Sequence, residues 1–120
     1  MGCIFKYVIT VDTGVAPCVD EDFLSICICK PSIRRIASIG DWVVATGGVG
    51  ISREKKIIFA AKITSKVSME EYAVKYPKRK DSIYDYDGLS LSHKGGPIHN
   101  TVKLQNLDKK GIYCLISKKF

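Results

Sequence analysis

Residues 57–67, IIFAAKITSKV, have the clearest strand pattern in the chain. Apolar and polar side chains alternate along them, with Phe59, Ala61 and Ile63 on one face and Lys62 on the other. A period of two predicts a β-strand with one buried face. We therefore expect one long strand here, with a hydrophobic core built on its apolar face.

The next stretch, SMEEYAVKYP over residues 68–77, predicts a helix. Ser68 and Glu71 have the spacing of a capping box, and Pro77 ends the pattern. A long strand followed directly by a helix is typical of mixed α and β domains.

Similar patterns flank this unit. Strands are predicted over residues 5–11, 42–46 and 112–117, and an apolar strand over 23–29. A short helix is predicted over 32–38, and short strands over 82–86 and 102–104. The rest of 77–100 is predicted to be loop. The residues expected to point into the core are Phe5, Tyr7, Ile9, Phe59, Ala61, Ile63 and Ile116. The sequence thus predicts an α+β fold with mostly antiparallel strands and two short helices.

Length and charge narrow the functional classes. The chain has 120 residues, 46% of them hydrophobic, which predicts a single domain over residues 1–120 and argues against disorder. Its net charge is +7, and residues 30–80 alone carry a net +8, from twelve Lys and Arg against four Asp and Glu. This balance favours a polyanionic partner. Since no apolar run reaches the length of a membrane span, no membrane partner is expected.

The five cysteines are predicted to be free thiols in the cytoplasm. Their number is odd, and the N-terminal residues lack the pattern of a secretory signal. Cys27 and Cys29 are spaced too closely for half of a zinc site and have no matching second pair, so neither a metal nor another cofactor is expected. A nucleophilic cysteine with a basic histidine can be drawn, but no spacing in the sequence supports it.

The densest basic block is KPSIRR, residues 30–35. Lys30, Arg34 and Arg35 are predicted to contact the phosphate backbone of a nucleic acid. A second cluster at residues 78–80, KRK, follows the predicted helix and is expected to be a solvated loop.

Several blocks together resemble the second of the nucleotide modification associated domain families. They lie at residues 7–17, 28–35, 40–47, 58–64, 69–72, 81–84 and 115–120, and the most specific are CKPSIRR (29–35) and GDW (40–42). Such domains occur in phages and prokaryotes, and the resemblance implies a role with modified DNA bases. The order of elements is also similar, more loosely, to PUA-like and EVE-like domains, which implies a small β-barrel around a base-reading pocket.

Such a pocket needs aromatic or apolar walls, polar groups for the base edge and a basic rim. The walls are predicted to come from Tyr7, Trp42 and Tyr84, the polar groups from Asp12, Thr13 and Thr46. The leading hypothesis is a module that binds nucleic acid, DNA rather than RNA, and recognises modified nucleotides or bases. The alternatives are an enzyme acting on a modified base or nucleotide, with Asp12, Lys30 and a tyrosine in acid–base roles, and a small-molecule nucleotide sensor. The oligomeric state is not predicted.

Overall fold

The computed structural model describes residues 2–9, 17–20, 22–47 and 57–120. The strands within these ranges are β1 (Ile4–Ile9), β2 (Cys18–Val19), β3 (Leu24–Ile26), β4 (Trp42–Gly47), β5 (Ile57–Lys62), β6 (Ser65–Ser68), β7 (Tyr84–Tyr86), β8 (Leu91–His93) and β9 (Tyr113–Ser117). The helices are α1 (Pro31–Ile36), α2 (Met69–Lys75) and α3 (Val102–Lys110). The predicted α+β class is confirmed.

The described strands form three sheets, in the orders β1-β4-β5, β2-β3-β9-β6 and β7-β8. Strands β1 and β4 pair in parallel, whereas the other described pairings are antiparallel. No closed barrel is formed by the strands that the structure describes. The implied PUA-like barrel is therefore not confirmed.

The long strand predicted over residues 57–67 is two strands in two sheets. β5 pairs with β4, and β6 pairs with β9. Ile63 and Thr64 lie between them, where the chain leaves the first sheet for the second. The alternation predicted the buried face correctly, since Ala61 and Ile63 are buried, but it continues across the break and therefore does not reveal it.

The predicted core is confirmed in large part. Tyr7, Ala61, Ile63 and Ile116 are buried. Phe5 and Phe59 are partly buried and pack against the apolar cluster that contains Tyr7, Ala61 and Ile63. The side chain of Ile9 lies outside the described residues. None of the described helices is long and apolar enough to cross a membrane.

The described part of the chain contains three helices, whereas two were predicted. Helix α2 begins as expected, with the Ser68 hydroxyl accepting a hydrogen bond from the Glu71 N–H. The strand predicted at residues 102–104 is wrong, because this segment begins α3. Thr101 caps that helix by accepting a hydrogen bond from the Leu104 N–H.

The prediction of five free thiols is also wrong. Cys27 and Cys114 form a disulfide across 87 residues of sequence, while Cys3, Cys18 and Cys29 are free. The pairing between β3 and β9 explains the bond. Ile26 lies opposite Leu115, so the next antiparallel step places Cys27 opposite Cys114.

Candidate active site

Cys29, His99 and Asp108 meet at one place in the fold. The Sγ of Cys29 lies 3.3 Å from Nε2 of His99, and Nδ1 of the same ring lies 2.6 Å from Oδ2 of Asp108. Asp108 is 1% exposed, whereas Cys29 and His99 are half-buried. A thiol, an imidazole and a buried carboxylate in this order have the geometry of a nucleophile, its base and the group that orients the base.

Each member comes from a different part of the chain. Cys29 lies in the turn between β3 and α1, His99 in the loop before α3, and Asp108 in the last turn of α3. The backbone is left-handed at Cys29 (φ 59°) and at His99 (φ 50°). Since this conformation costs an L-residue about 1–3 kcal/mol, the surrounding contacts must hold it in place, as is common at functional sites.

The hydrogen bonds of Asp108 determine which ring nitrogen of His99 carries the proton. Its Oδ1 accepts from the Cys29 N–H at 2.8 Å, and its Oδ2 accepts from the Tyr84 hydroxyl at 2.7 Å. Burial, with the hydrogen bond to Asp108, raises the pKa of Tyr84 well above its usual range, so this hydroxyl remains a donor. A carboxylate only accepts, so Nδ1 of His99 must be the donor to Oδ2. In the neutral form of the imidazole, Nε2 then presents its lone pair to the Cys29 thiol.

This arrangement suits proton transfer from a neutral thiol. Burial raises the pKa of Cys29, and the Asp108 carboxylate raises it further, while the charges of Lys30 and Arg34 act in the opposite direction. A reaction at this thiol would therefore need a base, and His99 Nε2 is the candidate base within reach. The other histidine is used elsewhere, because Nε2 of His93 is bonded to the Ile98 carbonyl at 2.7 Å.

The same three groups are also metal-ligand types, and one ligand atom from each lies within 4.8 Å of the others. The orientation of His99 favours a proton relay over chelation. One ring nitrogen is directed at Cys29 and the other at Asp108, and these nitrogens lie on opposite sides of the ring. To bind one ion together with both neighbours, the imidazole would have to break one of these contacts and turn.

Arg34 ties the cysteine turn to the end of α3. Its side chain is fully buried, with Nε donating to the Cys29 carbonyl at 2.8 Å, Nη1 to the Cys27 carbonyl at 2.6 Å, and Nη2 to the Asp108 carbonyl. The sequence predicted a phosphate contact for this residue. Since its guanidinium is buried and bonded to carbonyls, Arg34 offers no surface to a phosphate, and its contacts instead position Cys29 and Asp108.

The other two predicted backbone contacts remain on the surface. Lys30 follows Cys29 directly, is half-buried, and places its ammonium 4.9 Å from the ring centroid of Tyr7. Arg35 is exposed, and its carbonyl accepts a hydrogen bond from Lys66. Lys30 and Tyr7, predicted separately as rim and wall, thus lie together beside the cysteine turn.

The remaining predicted pocket residues lie in different parts of the fold. Tyr84 is buried beside the candidate active site through its bond to Asp108. Trp42 and Thr46 lie on β4, half-buried and buried, and no hydrogen bond joins either to Cys29, His99 or Asp108 in the described ranges. Asp12 and Thr13 lie outside the described residues.

The candidate active site was missed at the level of sequence because its members are far apart. Cys29 and His99 are separated by 70 positions, and Asp108 lies on a helix that the apolar pattern did not reveal. Two signals were available in the chain. The segment CKPSIRR contains both Cys29 and Arg34. Thr101 is a typical helix N-cap residue and stands at the start of α3.

The chain is an α+β protein in which a thiol, an imidazole and a carboxylate are in contact. Such a set of side chains can support nucleophilic chemistry. The family model for nucleotide modification associated domain 2 matches residues 1–120, so the chain belongs to this family and the resemblance is confirmed. No curated protein matches the chain, and no solved structure does.

Proposed function

We propose that this protein is a thiol-dependent enzyme of a nucleotide-modification system, with Cys29 as nucleophile, His99 as general base and Asp108 as the group that orients His99. One observation carries the proposal, namely the unbroken contact from the Cys29 sulfur through both nitrogens of His99 to the buried Asp108 carboxylate. The family description associates the domain with nucleotide modification, which supports a nucleotide or a modified base as the substrate class that we propose.

Acyl transfer is the reaction class that fits this constellation best. The Cys29 thiol gives its proton to Nε2 of His99, and the sulfur electron pair bonds the carbon of an ester or amide carried by the nucleotide. When the tetrahedral intermediate collapses, the bond to the leaving oxygen or nitrogen breaks, and that atom takes the proton from His99. Water then attacks the thioester, gives a proton to His99, and releases the acid as the thiol is restored.

Lys30 and Arg35 supply the anion-binding part of the proposal. Lys30 is next to the nucleophile in sequence, and its ammonium lies over the Tyr7 ring. Arg35 is exposed on α1, the helix that follows the cysteine turn. We assign to these two cations a contact with the phosphates of the substrate.

The test uses an acyl donor that needs no knowledge of the substrate. Incubation with p-nitrophenyl acetate should place an acetyl group on Cys29, and peptide mass spectrometry should locate it. His99→Gln should abolish this acylation, whereas His93→Gln should retain it, because glutamine keeps an N–H donor for the Ile98 carbonyl. Cys3 is the internal reference, because it is an exposed and free thiol.

Two results would overturn the proposal. One is acylation of Cys29 no faster than that of Cys3, with no effect of His99→Gln. The other is a zinc ion bound one per chain that protects Cys29 from alkylation, because a coordinated thiolate and imidazole are not a free nucleophile and base.

A second candidate is the module that binds modified nucleic acid, which the net charge of +7 favours together with the position of Lys30 beside Tyr7. This candidate predicts tight binding of an oligonucleotide that carries a modified base, by wild type and Cys29→Ala alike, with no covalent adduct on Cys29. A preference for the modified over the unmodified oligonucleotide, together with an inert Cys29, would favour this function over the enzyme.

A further inference from the structure

We propose that a groove between β2 and the segment that follows α2 binds single-stranded nucleic acid. It is lined by residues 18–20 and 75–80 and has a volume of about 560 Å³, within the range of ligand sites in proteins. None of these residues belongs to the candidate active site. The proposal rests on the proposed function for one point, that the protein works on nucleotides.

Arg79 holds the two walls of the groove together. Its Nη2 donates to the Cys18 carbonyl at 3.0 Å and to the Phe23 carbonyl at 3.2 Å, and its Nε donates to the Tyr72 hydroxyl at 2.9 Å. Its guanidinium carbon lies 3.8 Å from the ring centroid of Phe23. Because these contacts occupy Arg79, it shapes the groove and is not itself the ligand contact.

The rim keeps an excess of positive charge. Among the lining residues that the structure describes, Asp20 is the acid, and its carboxylate is paired with Arg79. Lys78 and Lys80 are exposed, and neither takes part in an ion pair within the described residues. Lys75 is also exposed and pairs with Glu71 at 3.2 Å on the helix surface. Two ammonium groups with no ion-pair partner in the described ranges therefore border the groove, where a phosphate can approach them.

The wall of the groove is apolar. Val19 is 52% exposed, and Tyr76 is half-buried, with its ring centroid 5.0 Å from that of Phe23 and 5.2 Å from that of Tyr72. An apolar wall that contains a supported aromatic ring, below a rim of lysines, matches the alternation of bases and phosphates in a single strand. A duplex hides its base faces and cannot use such a wall.

The test is the salt dependence of binding a fluorescent oligo(dT) of about ten nucleotides. Lys78→Gln with Lys80→Gln should flatten the slope of log K against log salt by about 1.4, near 0.7 per phosphate contact on a single strand, and lower the affinity more than about tenfold at 50 mM salt. The matched control is Lys118→Gln with Lys119→Gln, which removes the same charge from exposed positions outside the groove.

A second pair of variants tests the wall. Val19→Glu places a carboxylate in the groove, and Val74→Glu places one at an exposed position on α2 outside it. Only Val19→Glu should weaken binding more than tenfold. Because both positions are more than half exposed, neither change is expected to disturb folding.

Three outcomes would overturn the proposal that this groove binds a single strand. They are equal losses of affinity in the two double-lysine variants, no binding of oligo(dT) at low salt, and competition by free thymidine monophosphate as strong as that by the oligonucleotide. Titrations of wild type and Cys29→Ser should give the same affinity, since the groove lies outside the candidate active site. Failure of the proposed catalysis is read separately, from acylation of Cys29 in wild type, so the failure of one proposal can be distinguished from the failure of the other.

Discussion

Replacing Asp108 with asparagine should slow the reaction of the Cys29 thiol with iodoacetamide at neutral pH by about 10²-fold or more, the usual contribution of a positioned base. The side-chain oxygen of the asparagine is expected to stay on the Cys29 N–H, which donates to Oδ1 of Asp108 in the wild type. The amide NH₂ then faces Tyr84 and His99 in place of Oδ2. Because an NH₂ group donates, Nδ1 of His99 must become the acceptor, and its proton moves to Nε2.

That change of tautomer removes the base. Nε2–H would be directed at the Cys29 sulfur at 3.3 Å and could not take its proton. The Tyr84 hydroxyl loses its acceptor, which costs about 1–3 kcal/mol of the free energy of unfolding. The variant should therefore remain folded while its thiol becomes unreactive.

A purely electrostatic role for Asp108 predicts the opposite sign. The negative charge of Asp108 raises the pKa of Cys29, so its removal alone would lower that pKa and speed alkylation. The ligand atoms of these groups lie within 4.8 Å of one another. Two unit charges at that distance interact by about 3.5 kcal/mol at an effective dielectric constant of about 20, and solvent screening at half-buried Cys29 reduces this value. Each ~1.4 kcal/mol of this interaction would lower the pKa of Cys29 by about one unit when the charge is removed, so an electrostatic role alone predicts faster alkylation.

The two roles of Asp108 are separated by the direction of the change. The assay follows alkylation of the Cys29 peptide by mass spectrometry across pH 6–9, in a Cys3→Ser background that removes the exposed thiol. Asp22→Asn, at an exposed carboxylate, is the matched control. Faster alkylation of Asp108→Asn than of wild type would refute the relay through His99.

Three further predictions concern stability. Gly111→Ala should lower the free energy of unfolding by about 1–3 kcal/mol in a denaturant titration, because its Cβ would overlap the buried Arg34 guanidinium, whereas Gly96→Ala, with open space around it, should not. Hydrogen bonds from the backbone N–H groups of Cys3 and Ser38 hold the pKa of Asp41 below its ordinary value, so the stability it contributes is present above about pH 4 and lost as pH falls through the lowered pKa. Asp41→Asn should flatten that acid limb, and an unchanged limb would contradict the assignment. Non-reducing peptide mapping should recover Cys27 joined to Cys114. Reduction of this bond should lower the free energy of unfolding by about 4–5 kcal/mol, because the bond closes a loop over 87 residues. Alkylation before reduction should modify three thiols, and modification of five would contradict the bond.

Elements with a strong local signal were predicted well. The strand predicted over residues 42–46 is β4, and the capping box at Ser68 begins α2. The family was likewise identified from contiguous blocks and is confirmed over the whole chain. In each case the information is carried by residues close together in sequence.

Helix α3 shows where this reasoning failed. Its apolar residues are largely exposed, Val102 at 72% and Leu107 at 39%, so the helix has no buried apolar stripe to reveal it. Its buried residue is Asp108, which is held by hydrogen bonds to Cys29, Tyr84 and His99. Polar contacts between residues that are far apart in sequence produce no periodic pattern of residue types in the helix.

The sequence by itself determined the α+β class, most of the core, the family and the net positive charge, because alternation, capping residues and local motifs are properties of neighbouring residues. Only the tertiary structure decided where Arg34 and Cys29 lie and what they contact. Arg34 stands in a basic run yet is buried among carbonyls, and Cys29 contacts His99 only because the fold brings Asp108 on α3, together with His99, to the turn before α1. Burial and proximity depend on how distant segments pack, and a linear pattern does not record that packing.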